Sequence, residues 1–300
     1  MNDAVVTSGL RKRYGRTNAL DGFSLAVPRG SITGLVGRNG AGKTTWMMAV
    51  AGLTLPDSGT INILGRGPFD AERHSGRVGV IPQDSELPAE AKVRELLIDY
   101  GLLQSLPRDA AARSADALIG SFNLSDKAQA KIRTLSHGMR KRVMIAQAFL
   151  GNVELVLLDE PLSGLDPVEA DNMRSFLASM QGKMTIVISS HQLDDIERLC
   201  SHVAFVSDGK VERMDTLRSI TSQSGRIAYR LARVPADIAE LSRGIAGVVF
   251  SVEGDFVAAE FSGGREIPEI NAEILPRLLP YGVLSVTPGR SLEAAYLNRD

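Results

Sequence analysis

The sequence predicts an α/β fold that carries a helical insert and a small α+β unit towards its C-terminal end. Three observations predict it. Residues 37–44 read GRNGAGKT, a phosphate-loop pattern with Gly37, Gly42, Lys43 and Thr44 at the required places, set between an apolar run at 31–36 and a helix-compatible stretch at 45–52. Short apolar runs of strand length alternate with helix-like segments over roughly the first 215 residues. Between the run ending near Pro82 and the one starting near Leu155, that rhythm gives way to helical apolar spacing.

Taken in order, the expected strands are 5–10, 23–27, 31–36, 59–64, 77–81, 155–159, 185–189 and 202–207. Helices are expected at 93–106, 109–121 and 138–150, all inside the insert. The Ser- and Thr-rich stretch 215–225 reads as a linker. Beyond it, strands at 226–234, 248–253, 256–261 and 283–287 and helices at 235–244 and 270–281 follow the order β-α-β-β-α-β of a small ferredoxin-like unit. The expected organisation is a core domain at 1–215, with a helical subdomain at about 84–150, and an accessory domain at 225–300.

Composition narrows the function classes. Lys plus Arg is 34 and Asp plus Glu is 35, so no global positive field draws in nucleic acid or anionic lipid. The triplet Arg140-Lys141-Arg142 reads as a solvated helix face. One cysteine, Cys200, cannot form an internal disulfide and reads as a small buried apolar residue in a chain suited to a reducing compartment. The first residues lack the basic-then-apolar layout of a signal peptide, and no apolar run reaches the ~18 residues of a membrane span.

The motifs carry the chemistry. Gly37, Gly40 and Gly42 can take positive φ and let the backbone curl round a phosphate. The loop N–H groups and the positive end of the following helix then face the anion. Lys43 suits the β- and γ-phosphates and the Thr44 hydroxyl a magnesium ion, so the chain is expected to bind a nucleoside triphosphate. Val156-Leu157-Leu158-Asp159-Glu160-Pro161 is an apolar strand ending in two carboxylates, which packing alone does not call for. Asp159 is placed to hold the metal, and Glu160 to orient and deprotonate the attacking water. Gln83 ends one strand with an amide for metal-bound water and γ-phosphate, and His191 ends another with an imidazole for the γ-phosphate. Ser136 and Gly138, in Leu135-Ser136-His137-Gly138-Met139, precede a helix and form a second candidate anion site.

Over residues 3–215 this motif set resembles the ATP-binding subunit of ATP-binding cassette (ABC) transporters, which implies a phosphate-loop NTPase fold of ABC type. In that resemblance Tyr14 is the adenine-stacking aromatic, and GRNGAGKTT is the Walker A loop, bringing Asn39, Ala41 and Thr45 to the nucleotide beside Gly37, Gly40, Gly42, Lys43 and Thr44. Gln83 matches the Q-loop, LSHGM the signature motif, VLLDE the Walker B strand, Ser163-Gly164-Leu165-Asp166 the D-loop and His191 the switch histidine. The resemblance implies an ATPase with Glu160, His191 and Gln83 as catalytic residues, and with Thr44, Gln83 and Asp159 around Mg2+. It implies Asp166 as a further nucleotide-binding residue, and a head-to-tail pair of subunits, most simply identical, in which Ser136 and Gly138 serve the partner's ATP. It also implies an integral membrane permease as partner and a peripheral location on the cytoplasmic face.

Residues 289–297, GRSLEAAYL, resemble the tail of ABC-2-type exporter ATPases, which points to export. The signature departs from the family's usual LSGGQ: His137 replaces a glycine and Met139 a glutamine, and the expected result is hydrolysis with a weakened signature contact. Two other functions compete with transport. ABC ATPases of translation or DNA repair carry two cassettes or long coiled-coil inserts, and neither is present here. A regulatory module, suggested by the altered signature, would hold ATP without useful hydrolysis; Glu160 and His191 are both intact, so measured ATPase turnover separates it from the enzyme reading.

Overall fold

The computed structural model describes residues 3–82, 85–222, 225–235, 237–238, 241, 245–261 and 267–288. The chain divides into two compact units, Met1–Asp215 and Thr216–Asp300.

In the first unit, β1 (Asp3–Tyr14) and β2 (Thr17–Pro28) form a long antiparallel hairpin, and β4 (Ser58–Ile63) pairs with β1 on its other side. The main sheet contains β3 (Ile32–Val36), β5 (Val78–Ile81), β6 (Leu155–Asp159), β7 (Thr185–Ser190), β8 (His202–Ser207) and β9 (Lys210–Thr216). Its order is β5-β6-β7-β3-β8-β9, and the first five members run parallel. Every residue of β3, β6 and β7 is buried, as suits central parallel strands covered on both faces. Trp46 anchors the core between the sheets: fully buried, it stacks on Phe23 at 5.9 Å and donates its indole N–H to Thr7 Oγ1 at 3.1 Å.

Helix α1 (Lys43–Val50) follows β3. The insert holds α2 (Val93–Leu103), α3 (Arg108–Ser121) and α4 (His137–Ala146), and α5 (Pro167–Ser179) and α6 (Leu193–Leu199) follow β6 and β7. Phe122, Phe149 and Phe176 join the insert to α5, with ring centroids 4.4 Å (122–176) and 5.0 Å (149–176) apart.

In the second unit, α7 (Leu217–Ser222) precedes β10 (Gly225–Leu231), β11 (Val248–Glu253), β12 (Phe256–Phe261), α8 (Ile267–Leu278) and β13 (Val283–Pro288). The antiparallel sheet has the order β11-β12-β10-β13. Ile270, Ile274 and Leu278, four residues apart on α8, belong to one buried cluster with Ile227, Tyr229, Val257 and Ala259. The helix expected at 235–244 falls mostly outside the described residues, and the segment 289–297 wholly so.

Two sequence expectations are corrected. Residues 215–225 are not a linker throughout, because β9 runs to Thr216 and α7 follows at once. The triplet 140–142 is not a solvated face. Arg140 donates to the Leu135 carbonyl at 2.8 Å, Lys141 to the Glu160 carbonyl at 3.1 Å, and Arg142 to the Phe122 carbonyl at 2.9 Å and the Glu169 carboxylate at 3.1 Å. Phe122 is the C-cap of α3, so Arg142 supplies a donor at the helix end where carbonyls lack intrahelical partners.

Candidate nucleotide-binding site

The site lies where the parallel strands β3, β6 and β7 end side by side. Asp159 at the end of β6 is in register with Ser189, and Val36 at the end of β3 with Ser190. Loops leaving the carboxyl ends of such strands converge on one crevice, which is where open α/β sheets bind ligands.

The phosphate loop is shaped mainly by its own backbone. Gly42 caps α1 with φ 109°, a conformation L side chains rarely adopt, and a Cβ there would sit 2.6 Å from the Ala19 carbonyl. A Cβ on Gly37 would collide with the Val206 carbonyl of β8. Lys43 is buried and bridges the loop, donating to Gly37 O at 2.7 Å and Arg38 O at 3.2 Å. Burial lowers its pKa, against the opposing pull of Glu160 and Asp159.

Across the crevice, Ser189 Oγ donates to Asp159 Oδ1, while Asp159 Oδ2 is buried without a hydrogen-bond partner. An orphaned carboxylate oxygen is costly unless a ligand meets it. Glu160 has φ +49°, donates its N–H to Ser189 Oγ at 3.0 Å, and keeps its carboxylate mostly buried. Both carboxylate oxygens lie 3.0 Å from His191 Nδ1. Lys141 is half-buried and desolvation lowers its pKa, with Glu160 and Asp159 pulling the other way.

Between the phosphate loop and these carboxylates lies one cleft of about 400 Å³, lined by Thr17, Ala19, Asn39, Gly40, Gly42, Lys43, Thr44, Thr45, Asp159, Glu160, Ser163 and His191. Of the expected site residues, the structure thus gathers Asn39, Gly40, Gly42, Lys43, Thr44, Thr45, Asp159, Glu160 and His191. Gly37 and Ala41 belong to the loop without lining the cleft. Tyr14 is not among the lining residues: half-exposed at the end of β1, its hydroxyl pairs with Thr54 Oγ1 at 3.3 Å, and the Lys12 ammonium lies over its ring. Ser136 and Asp166 are also outside the cleft. Each caps its own helix, Ser136 accepting from Met139 N–H at 3.2 Å, and Asp166 from Val168 at 3.0 Å and Glu169 at 2.9 Å. Gly138 packs against Glu169, and Gln83 lies outside the described residues. Thr17, Ala19, Ser163, Ser189 and Lys141 were not among the expected site residues. Ser163 was readable, being the residue that opens the D-loop match; the others reach the site only through strand register and helix packing.

A cation fits the donor set, since Asp159 and Thr44 line one cleft, both carry hard oxygen donors, and Asp159 Oδ2 is buried without a hydrogen-bond partner. Among the described residues no cluster of three or more His, Cys, Asp or Glu could hold a metal ion.

Fold and site together define a phosphate-loop cassette built to hold a nucleoside triphosphate. The family described as "ABC transporter" matches residues 20–163. The chain is 39% identical over 207 residues to the Nod factor export ATP-binding protein I of Ralstonia nicotianae, an alignment spanning 67% of this chain and 64% of that protein. It is 32% identical over 274 residues to the protein of the same name from Cupriavidus pinatubonensis, spanning 80% and 83% of the two chains. A solved ATP-binding subunit of an ABC transporter superposes with a TM-score of 0.65 at 29% identity, covering 72% of this chain and 91% of that one. The chain belongs to the ABC transporter family.

Proposed function

We propose that the chain is an ATP-hydrolysing subunit that powers export of a substrate across a membrane through a separate permease. The observation that carries the reading is the meeting of Lys43, Asp159, Glu160 and His191 around one cleft on a phosphate loop. Lys43 and the α1 N-terminus hold the phosphates. Thr44 and Asp159 would hold Mg2+, with Gln83 added by family resemblance, and the ion would supply charge neutralisation at the phosphates. Glu160 takes the proton from the attacking water, and His191, within hydrogen-bonding distance of both its oxygens, fixes the direction in which that carboxylate faces.

A second copy of the chain completes the site. Ser136, Gly138 and Asp166 do not line their own cleft, which supports their serving the ATP held by a partner. The export direction rests on likeness to relatives named for Nod factor export, and no substrate is carried over from them. No helix among the described residues is long and apolar enough to cross a membrane. Membership of the family supports a separate permease as the path, with the subunit at its cytoplasmic face. The strand order of the second unit supports a ferredoxin-like accessory domain.

The test is Glu160→Gln in the full chain, with ATP binding and turnover measured together. Removing a general base of this kind lowers kcat by roughly 10²- to 10⁴-fold, and ATP binding is expected to persist. Turnover within a few-fold of the parent would take Glu160 out of the catalytic role.

A further inference from the structure

The peptide joining Asp159 to Glu160 is held in an unusual way. At φ +49° Glu160 occupies the left-handed region that non-glycine residues avoid, so its surroundings must fix it there. Two side chains meet its two backbone polar groups. Its N–H donates to Ser189 Oγ at 3.0 Å, and its carbonyl accepts from Lys141 Nζ at 3.1 Å. Ser189 is fully buried, so no bulk water competes for its hydroxyl. That hydroxyl sends its hydrogen to Asp159 Oδ1 and takes the Glu160 N–H on a lone pair. One serine thereby sets the backbone of Glu160 and the side chain of Asp159, leaving Asp159 Oδ2 without a partner.

We propose that Ser189 and Lys141 are positioning residues for hydrolysis, holding the Asp159–Glu160 turn so that the side chains of Asp159 and Glu160 stay at the cleft they line. The proposal rests on reading the cleft as an ATPase site. Neither residue lines the cleft, so both act through Asp159 and Glu160 rather than on the nucleotide. The two supports differ in origin. Ser189 belongs to β7, next to Asp159 in the sheet, whereas Lys141 belongs to α4, whose N-cap is Ser136. The helix that presents Ser136 therefore also grips the peptide of Glu160 in the same chain. A merely structural serine would support the strand without affecting cation dependence, and that difference decides the test.

The experiment uses the full chain carrying Ser189→Ala, Lys141→Met or Lys141→Arg. Steady-state kcat and KM are measured for ATP, and affinity for a fluorescent ATP analogue is followed in EDTA and through an Mn2+ titration. Ser189→Ala is expected to lower kcat about tenfold or more, the worth of a hydrogen bond to a charged group, and to raise by several-fold the Mn2+ needed for full nucleotide affinity. Affinity in EDTA should stay within about twofold, because the phosphate loop is untouched. Lys141→Met should lower kcat with little change in KM, and Lys141→Arg should recover most of the loss. Values of kcat and Mn2+ dependence within about twofold of the parent for both Ser189→Ala and Lys141→Met would overturn the proposal. So would losses that merely track a fall in melting temperature and in EDTA affinity. If the parent binds ATP without turning it over, the functional reading fails instead, and the Mn2+ titration alone decides whether Ser189 positions Asp159.

Discussion

Gly138 and Glu169 offer a test in which one substitution should change sign with its background. A methyl group on Gly138 would overlap the Glu169 carboxylate. That carboxylate cannot swing away freely, because Arg142 holds it at 3.1 Å in a pair whose side chains are only 12% and 20% exposed. Breaking a mostly buried pair costs about 3 kcal/mol. Arg142 keeps its bonds to the Phe122 and Asn123 carbonyls, which brings the loss nearer ~2 kcal/mol. Against this, alanine is favoured over glycine within a helix by ~1 kcal/mol. Gly138→Ala should thus destabilise the parent by ~1 kcal/mol or more, yet stabilise the Glu169→Ala background by up to ~1 kcal/mol. Urea unfolding followed through the single tryptophan, Trp46, which is buried in the same unit, reads both backgrounds. An equal effect of Gly138→Ala with and without Glu169 would refute the reasoning.

Two further outcomes follow from a buried and a partly buried titratable group. Burial, with a smaller push from Asp195, raises the Cys200 thiol well above its ordinary range, so a thiol reagent at pH 8 should modify the folded chain at least ~100-fold more slowly than the urea-unfolded chain; comparable rates would mean an accessible thiol. Burial lowers the pKa of His202 below its ordinary 6.5, with Asp215 opposing. The unfolded chain therefore binds this proton more tightly, and stability should fall as pH drops from 6.5 towards the lowered folded value. His202→Gln should flatten that part of the profile, and unchanged slopes in unfolding series across the window would contradict it.

The parts of the site that were legible in the sequence are those written in consecutive residues. GRNGAGKT between an apolar strand and a helix, and two carboxylates ending an apolar strand, reveal their chemistry because nearby spacing is enough. Ser189 was not legible, since its link to Asp159 exists only once β6 and β7 pair in register. The triplet at 140–142 misled for a related reason. Charge in one dimension reads as exposure, but α4 packs where the carbonyls of Leu135, Phe122 and Glu160 need donors. At 215–225, hydroxyl-rich composition hid α7, whose first residue sits just after Thr216 and whose Ser219 N–H bonds to the Thr216 hydroxyl at 3.0 Å.

The glycines of the phosphate loop bear on how such chains decay over evolutionary time. Gly37 is wedged against the Val206 carbonyl and Gly42 against that of Ala19, so both are demanded by packing whether or not a nucleotide is ever bound. Gly40 has open space around it and answers only to its φ of +82°. Lys43 is the opposite case: burial works against its charge, and an anion is the natural compensation. A descendant released from nucleotide binding would still need Gly37 and Gly42 for packing, whereas at Lys43 only the two bonds to the Gly37 and Arg38 carbonyls and the pull of Glu160 and Asp159 would stand against the cost of its buried charge. Surviving glycines in such a loop would therefore say little about nucleotide binding, because the packing alone demands them.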